Sequence, residues 1–147
     1  MRVTGLVAMA ALVLAFASTA SSAAEHEIKI KNTNGKGKFM LFEPDFLKVE
    51  PGDTVKFTLV DKNHNAEAIK DVWPEGVELL KGEMNQDAEF VVEKPGYYGI
   101  KCLPHFTMGM VALIVAGEPT NKAQLDAFKA PGGAKKRWEE LLKNVKQ

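Results

Sequence analysis

The sequence predicts an all-β body, a sandwich or barrel of short strands, followed by two α-helices at the C-terminus. Three observations carry this. From Glu25 onward, apolar residues alternate with polar ones in short runs, the period of half-buried strands. Pro-Gly turns separate those runs, as in sandwiches and barrels. After Gly117 the apolar spacing changes to that of a helix.

In chain order, His26-Glu-Ile28-Lys-Ile30-Lys reads as the first strand. Phe46-Leu-Lys-Val49-Glu, the turn Pro51-Gly52-Asp53 and Thr54-Val55-Lys-Phe57-Thr-Leu59 read as strand, tight turn, strand. The stretch Glu67–Glu83 has no clean period and reads as an irregular connection. Ala88-Glu-Phe90-Val-Val92, Lys94-Pro95-Gly96 and Tyr97-Tyr98-Gly-Ile100 repeat the strand–turn–strand pattern. Met110–Val115 is continuously apolar, suited to a strand buried on both faces. In the tail, Thr120 is placed to cap a short helix carrying Leu125 and Phe128, and Pro131-Gly132-Gly133 breaks it. Trp138, Leu141, Leu142 and Val145 then form an amphipathic stripe that packs on the protein's own core.

The first 24 residues stand apart. Arg2 gives a short positive start, Leu6–Phe16 is unbroken apolar sequence, and small residues fill Ala17–Ala24. That layout predicts a secretory signal peptide over 1–24, cut after Ala24, with Ser22 and Ala24 at the small positions. The apolar run is shorter than the roughly 20 residues a membrane span needs. The expected organisation is therefore a leader (1–24), a sandwich (25–118) and a helical extension packed on it (119–147). In a Gram-negative cell the destination is the periplasm, where a lone thiol is at risk unless something occupies it.

Composition narrows the chemistry. The 147 residues, 46% hydrophobic and 26% charged, suit one small domain. Lys and Arg number 19 against 19 Asp and Glu, so bulk charge does not point to nucleic acid. Removing Arg2 with the leader leaves a net charge of −1. A single cysteine excludes an internal disulfide framework and a four-cysteine zinc site. Three histidines and six methionines are the other soft ligands.

Those ligands converge on Cys102-Leu103-Pro104-His105-Phe106-Thr107-Met108-Gly109-Met110, a loop between two predicted strands. His64 lies in a second polar loop, Asp61-Lys62-Asn63-His64-Asn65, and a Greek-key sandwich gathers such loops at its ends. Two imidazoles and a thiolate, with a weak axial thioether, are the ligands of a blue-copper electron-transfer site. Zinc would take the same imidazoles and thiolate, but a structural zinc site takes four strong ligands and methionine is a poor fourth. Singly, a lone cysteine is most often apolar filler, a lone histidine a surface residue, and Met40, Met108 or Met110 core. Cys-x2-His-x4-Met on one loop, with His64 upstream in an exported sandwich, is a specific pattern and outweighs those readings. His26, without a partner motif, reads as surface.

With these residues the chain resembles the cupredoxins, the type 1 blue copper proteins, over essentially the whole exported sequence. The resemblance rests on Phe42-Glu43-Pro44, Val49–Val55, Asp61–Asn65, Pro95-Gly96-Tyr97-Tyr98, Cys102–Met110 and the helical tail. Plastocyanin shares the ligand spacing but lacks such a tail, and azurin and amicyanin space their ligands differently. The resemblance implies an eight-stranded Greek-key sandwich holding one copper ion on His64, Cys102, His105 and axial Met110, with Met108 off the ligand position. It implies a soluble, monomeric carrier rather than an enzyme, passing single electrons to a redox protein in the periplasm. Copper nitrite reductase of denitrification is the expected acceptor, and a c-type cytochrome a further redox partner. It also implies that the Asn65 backbone N–H points at the cysteine sulfur while its side chain ties the ligand loops together.

Two other functions fit parts of the pattern. A copper sequestration or delivery protein would also be exported, but no Met- or His-rich tract accompanies the compact site. A cysteine enzyme would need a free thiolate and a substrate cleft, and the sequence offers neither. For docking, Lys62 and Lys101 flank the ligand segments and Lys36 and Lys38 precede Met40. With the apolar Met40, Pro104, Phe106 and Met108 they would form a positive ring around an apolar patch near His105. Thr33 and Asn34 stand where some relatives carry lysines, which leaves part of that ring open.

Overall fold

The computed structural model describes residues 22–146, and the signal-peptide reading falls almost wholly outside them. Eight strands form two four-stranded sheets. They are β1 (Glu25–Thr33), β2 (Phe39–Glu43), β3 (Phe46–Val49), β4 (Thr54–Leu59), β5 (Glu67–Ala68), β6 (Ala88–Val91), β7 (Gly96–Lys101) and β8 (Val111–Ala116). One sheet runs β2-β1-β4-β6 and the other β3-β8-β7-β5. Helices α1 (Lys122–Ala127) and α2 (Ala134–Val145) follow. No helix among the described residues is long and apolar enough to cross a membrane.

The period-two pattern explains the core. In β1, Ile28 and Ile30 are fully buried while Glu27 and Lys29, which alternate with them, are exposed. In β4, Val55 and Phe57 turn inward in the same way. Burying each such side chain contributes roughly 1.5–3 kcal/mol. The Pro51-Gly52 turn does not close a hairpin: β3 and β4 lie in opposite sheets, and so do β6 and β7 across Pro95. These turns carry the chain from one layer to the other.

Strand β8 is buried on both faces, as its unbroken apolar run predicts. Ala112, Ile114 and Ala116 face the space between the sheets. Val111, Leu113 and Val115 face a second cluster with Leu125, Trp138 and Leu141 from the helices. The tail is thus a third layer over the β3-β8-β7-β5 sheet. Three details differ from the sequence reading. Asn121, not Thr120, stands at the start of α1, and its amide bonds both the N–H and the C=O of Tyr97 instead of capping the helix. Phe128 falls just beyond the end of α1. Glu67–Glu83 also holds more order than its aperiodicity suggests: β5, a 3-10 turn at Lys70–Val72 and a bridge from Glu67 to Lys81.

Candidate metal centre

All four predicted ligands sit at one end of the sandwich. His64 lies on the link from β4 to β5, Cys102 directly follows β7, and Met110 directly precedes β8. His105 lies between the last two, ahead of a 3-10 turn at Phe106–Met108. Backbone bonds close this loop on itself. The N–H of His105 donates to the C=O of Cys102 (3.2 Å), that of Met110 to His105 (3.1 Å) and that of Cys102 to Met110 (3.1 Å). The ends of two paired strands therefore fix the spacing of cysteine, histidine and methionine.

The three strong donors form a compact triangle. Cys102 Sγ lies 3.6 Å from His64 Nδ1 and 3.5 Å from His105 Nδ1, and the two nitrogens are 3.1 Å apart. A point equidistant from all three lies about 2.0 Å from each, the length of a bond from a transition metal to imidazole nitrogen and slightly short of one to thiolate. The donor set fits a metal that accepts two imidazoles and a thiolate. His64, Cys102 and Met110 are fully buried and His105 is half-buried, so His105 is the predicted ligand nearest solvent.

Burial sets the protonation of these donors. Desolvation lowers the pKa of His64, and the neighbouring His105 lowers it further, while Asp61 opposes them weakly. His64 is therefore held neutral with a free lone pair. Burial raises the pKa of the Cys102 thiol, against the pull of the Asn65 and His105 backbone N–H groups. A bound cation reverses that balance and takes the sulfur as thiolate.

Surrounding residues orient the ligands. The Asn65 side chain accepts from the Leu103 N–H (2.7 Å) and donates to Gly82 C=O (3.0 Å), joining the two ligand loops. The Asn65 and His105 backbone N–H groups both pull the Cys102 thiol pKa down, and Pro104, which has no N–H, adds no such pull. Sequence reasoning missed Asn32. Its Oδ1 lies 2.7 Å from His64 Nε2, so that nitrogen carries the proton and Nδ1 faces the triangle. Only its place at the end of β1, beside the His64 loop, reveals this role. The helical tail also buttresses the loop, since the Gly133 N–H donates to Thr107 C=O at 2.6 Å.

The proposed docking residues divide. Met108 and Pro104 are exposed, as are Leu103 and Phe39, which the sequence reading passed over. Met40 is half-buried against the core, its C=O taken by Arg137 (2.6 Å). Lys62 and Lys36 are exposed. Lys101 pairs with Glu67 (3.2 Å) and lies over the Phe106 ring, and Lys38 pairs with Asp45 (2.9 Å). His26 is not a bare surface residue: its Nε2 is 2.8 Å from Asp53 Oδ2.

Residues 28–117 match the family of copper binding proteins described as the plastocyanin/azurin family. Pseudoazurin of Paracoccus pantotrophus is 44% identical over 141 residues, 95% of this chain and 96% of that one. Pseudoazurin of Methylorubrum extorquens is 42% identical over 126 residues, 85% and 83% of the two chains. The crystal structure of native pseudoazurin from Hyphomicrobium denitrificans superposes with a TM-score of 0.80 at 47% identity, covering 84% of this chain and 99% of that one. A cysteine, two histidines and a methionine at one end of an eight-stranded sandwich, the helical third layer and these likenesses agree: the chain belongs to the plastocyanin/azurin family of copper-binding proteins and, within it, to the pseudoazurins.

Proposed function

We propose that this protein is a periplasmic one-electron carrier whose copper is held by His64, Cys102 and His105, with Met110 as the weak axial ligand. The supporting observation is the Cys102–His64–His105 triangle, with sides of 3.1 to 3.6 Å and two of its corners fully buried. When bound, copper supplies a one-electron couple that soft sulfur and imidazole ligands accommodate in both oxidation states.

The chain's own contribution is rigidity. Asn32 fixes the His64 ring, Asn65 ties the ligand loops, and backbone bonds among Cys102, His105 and Met110 hold the loop closed. Donors held in one arrangement have little to rearrange when charge changes. The buried side of the site excludes water, and the half-buried His105 edge is the path to a partner. Around it, Leu103, Pro104 and Met108 offer an apolar contact, with Lys62 as the open positive charge and Lys101 a charge shared with Glu67.

The acceptor we assign is a redox protein with an acidic docking face, a copper nitrite reductase in the first place, with a c-type cytochrome as a further partner. Reduced protein mixed anaerobically with each candidate tests this by the return of the blue colour. Fast return with the nitrite reductase supports the assignment, and no return over the enzyme's turnover time rejects it.

A further inference from the structure

The start of β1 carries a group of polar atoms that the Cys102 centre does not use. The Ala24 N–H donates to Asp53 Oδ1 (2.9 Å), and His26 Nε2 meets Oδ2 of the same carboxylate (2.8 Å). The Ala24 C=O accepts the Thr54 N–H (2.9 Å). Asp53 is only 6% exposed and also accepts the Glu50 N–H (3.0 Å). These bonds lower the Asp53 pKa to about 2, the Glu50 and Ala24 N–H groups first and His26 after them.

This arrangement discriminates between two leader cuts that small residues alone leave equal. A cut after Ala24 uses Ser22 and Ala24, and a cut after Ala23 uses Ser21 and Ala23. The first removes the Ala24 N–H bond to the buried Asp53 carboxylate and the Ala24 C=O pairing with the Thr54 N–H. The second keeps them and turns the Ala24 amide into an α-ammonium facing a carboxylate, a stronger bond. A chain that begins at Ala24 has histidine as its third residue, Ala24-Glu25-His26.

We propose that the exported chain begins at Ala24 and that Ala24-Glu25-His26 is a second metal site, an amino-terminal site for Cu(II) or Ni(II) separate from the Cys102 centre. Its donors are the Ala24 α-amine, the Glu25 and His26 amide nitrogens and His26 Nδ1, four nitrogens in a square plane, the geometry these two ions prefer. Binding at neutral pH releases one proton from the α-ammonium and one from each amide, and His26 binds through the lone pair of Nδ1. The two amidates balance the charge of the divalent ion. Asp53 presets the ring, because its hold on Nε2 leaves Nδ1 free.

Successive amides of a strand point to opposite sides, so residues 24–26 must turn out of the sheet to encircle an ion. The loss is small. Strand β2 pairs with β1 only from Lys29 onward, so the first residues of β1 are held by β4 alone, through Glu25 with Thr54 and His26 with Val55. Chain ends open at little cost. Asp53 keeps the Glu50 N–H, and Ile28 and Ile30 stay in the core.

The test uses protein exported with its full leader and loaded with copper at the Cys102 centre. Intact mass reads the first residue, and Ni(II) is the probe for the second site. The expected result is a chain beginning at Ala24 that takes up one Ni(II) with the yellow absorption of the square-planar ion. Uptake is lost in His26→Ala and in Glu25→Pro, which removes one amide donor, while both variants keep the blue band. Cys102→Ser, in contrast, loses the blue band and keeps Ni(II) uptake, so the two sites fail independently. A mass beginning at Glu25, no stoichiometric Ni(II) uptake, or uptake that survives both variants overturns the proposal.

Discussion

Asn32 Oδ1 lies 2.7 Å from Nε2 of His64, and this contact decides which nitrogen of a fully buried ring faces Cys102. Neither residue is adjacent to the other in sequence, yet the end of β1 brings them together. Truncating Asn32→Ala removes the acceptor for the Nε2 proton and frees the ring to change tautomer. Such a loss of orientation typically costs 10- to 100-fold in metal affinity. Competition with a copper chelator should show that loss, while Asn32→Asp, which keeps the acceptor, should retain most of the affinity.

Met110 should tune the site more than it holds it, since an axial thioether is a weak ligand. Met110→Leu keeps volume and apolarity at a fully buried position, so the fold should survive. Copper and blue colour should remain and the reduction potential should rise. A tenfold change in relative affinity for the two oxidation states corresponds to about 59 mV for one electron, and a rise of that order is expected by voltammetry. Loss of copper from this variant would remove Met110 from its axial role.

Gly133 links the helical tail to the ligand loop. A Cβ there would lie 2.8 Å from the Thr107 carbonyl oxygen, closer than real contacts allow. Its own φ of −65° suits any residue, so Gly133→Ala tests the contact and not the backbone. Overpacking of this kind costs roughly 1–3 kcal/mol. Thermal unfolding should show the loss, and the visible band should shift as Thr107–Met108 moves.

Asp53 predicts an acid dependence of stability. Its carboxyl is lowered from 3.8 to about 2 in the folded chain, so the folded state favours the ionised form. The stability it contributes is fully present above about pH 4 and is lost as pH falls toward 2. Urea unfolding across this range should show the gap between wild type and Asp53→Ala narrowing as pH falls. A gap independent of pH would mean that the carboxylate charge is not what holds this corner.

Docking should depend on charge in an uneven way. Lys62 is exposed, whereas Lys101 is paired with Glu67. Lys62→Glu should therefore lower the second-order electron-transfer rate more than Lys101→Glu, with the spectrum unchanged. The wild-type rate should fall as the Debye length drops from about 30 Å at 0.01 M salt to about 10 Å at 0.1 M. Stopped-flow rates indifferent to salt and to both reversals would leave Leu103, Pro104 and Met108 as the docking determinants.

Much of this architecture is legible in the residues, and the exceptions have physical causes. β1, β3, β4, β6, β7 and β8 follow from period two or an unbroken apolar run, because burial on one or both faces writes itself into the pattern. β2 does not, since Met40 sits at a φ of +50° and breaks the alternation of Phe39–Glu43. β5 is two residues long and too short for any period. The cysteine, His105 and Met110 are visible because one loop carries them. Asn32 and the Gly133 brace are invisible because they reach the site from distant parts of the chain. Asn121 displaces Thr120 for a similar reason: its amide is committed to Tyr97 in β7, a partner that local spacing cannot reveal.

A one-electron copper site built on Cys102, His64 and His105 stands or falls on an anaerobic redox titration of the copper-loaded protein. Intense blue absorption should bleach with one electron per chain, return fully on reoxidation, and be absent from Cys102→Ser. A copper-loaded protein that is colourless, or whose colour does not follow a reversible one-electron curve, would rule out such a site.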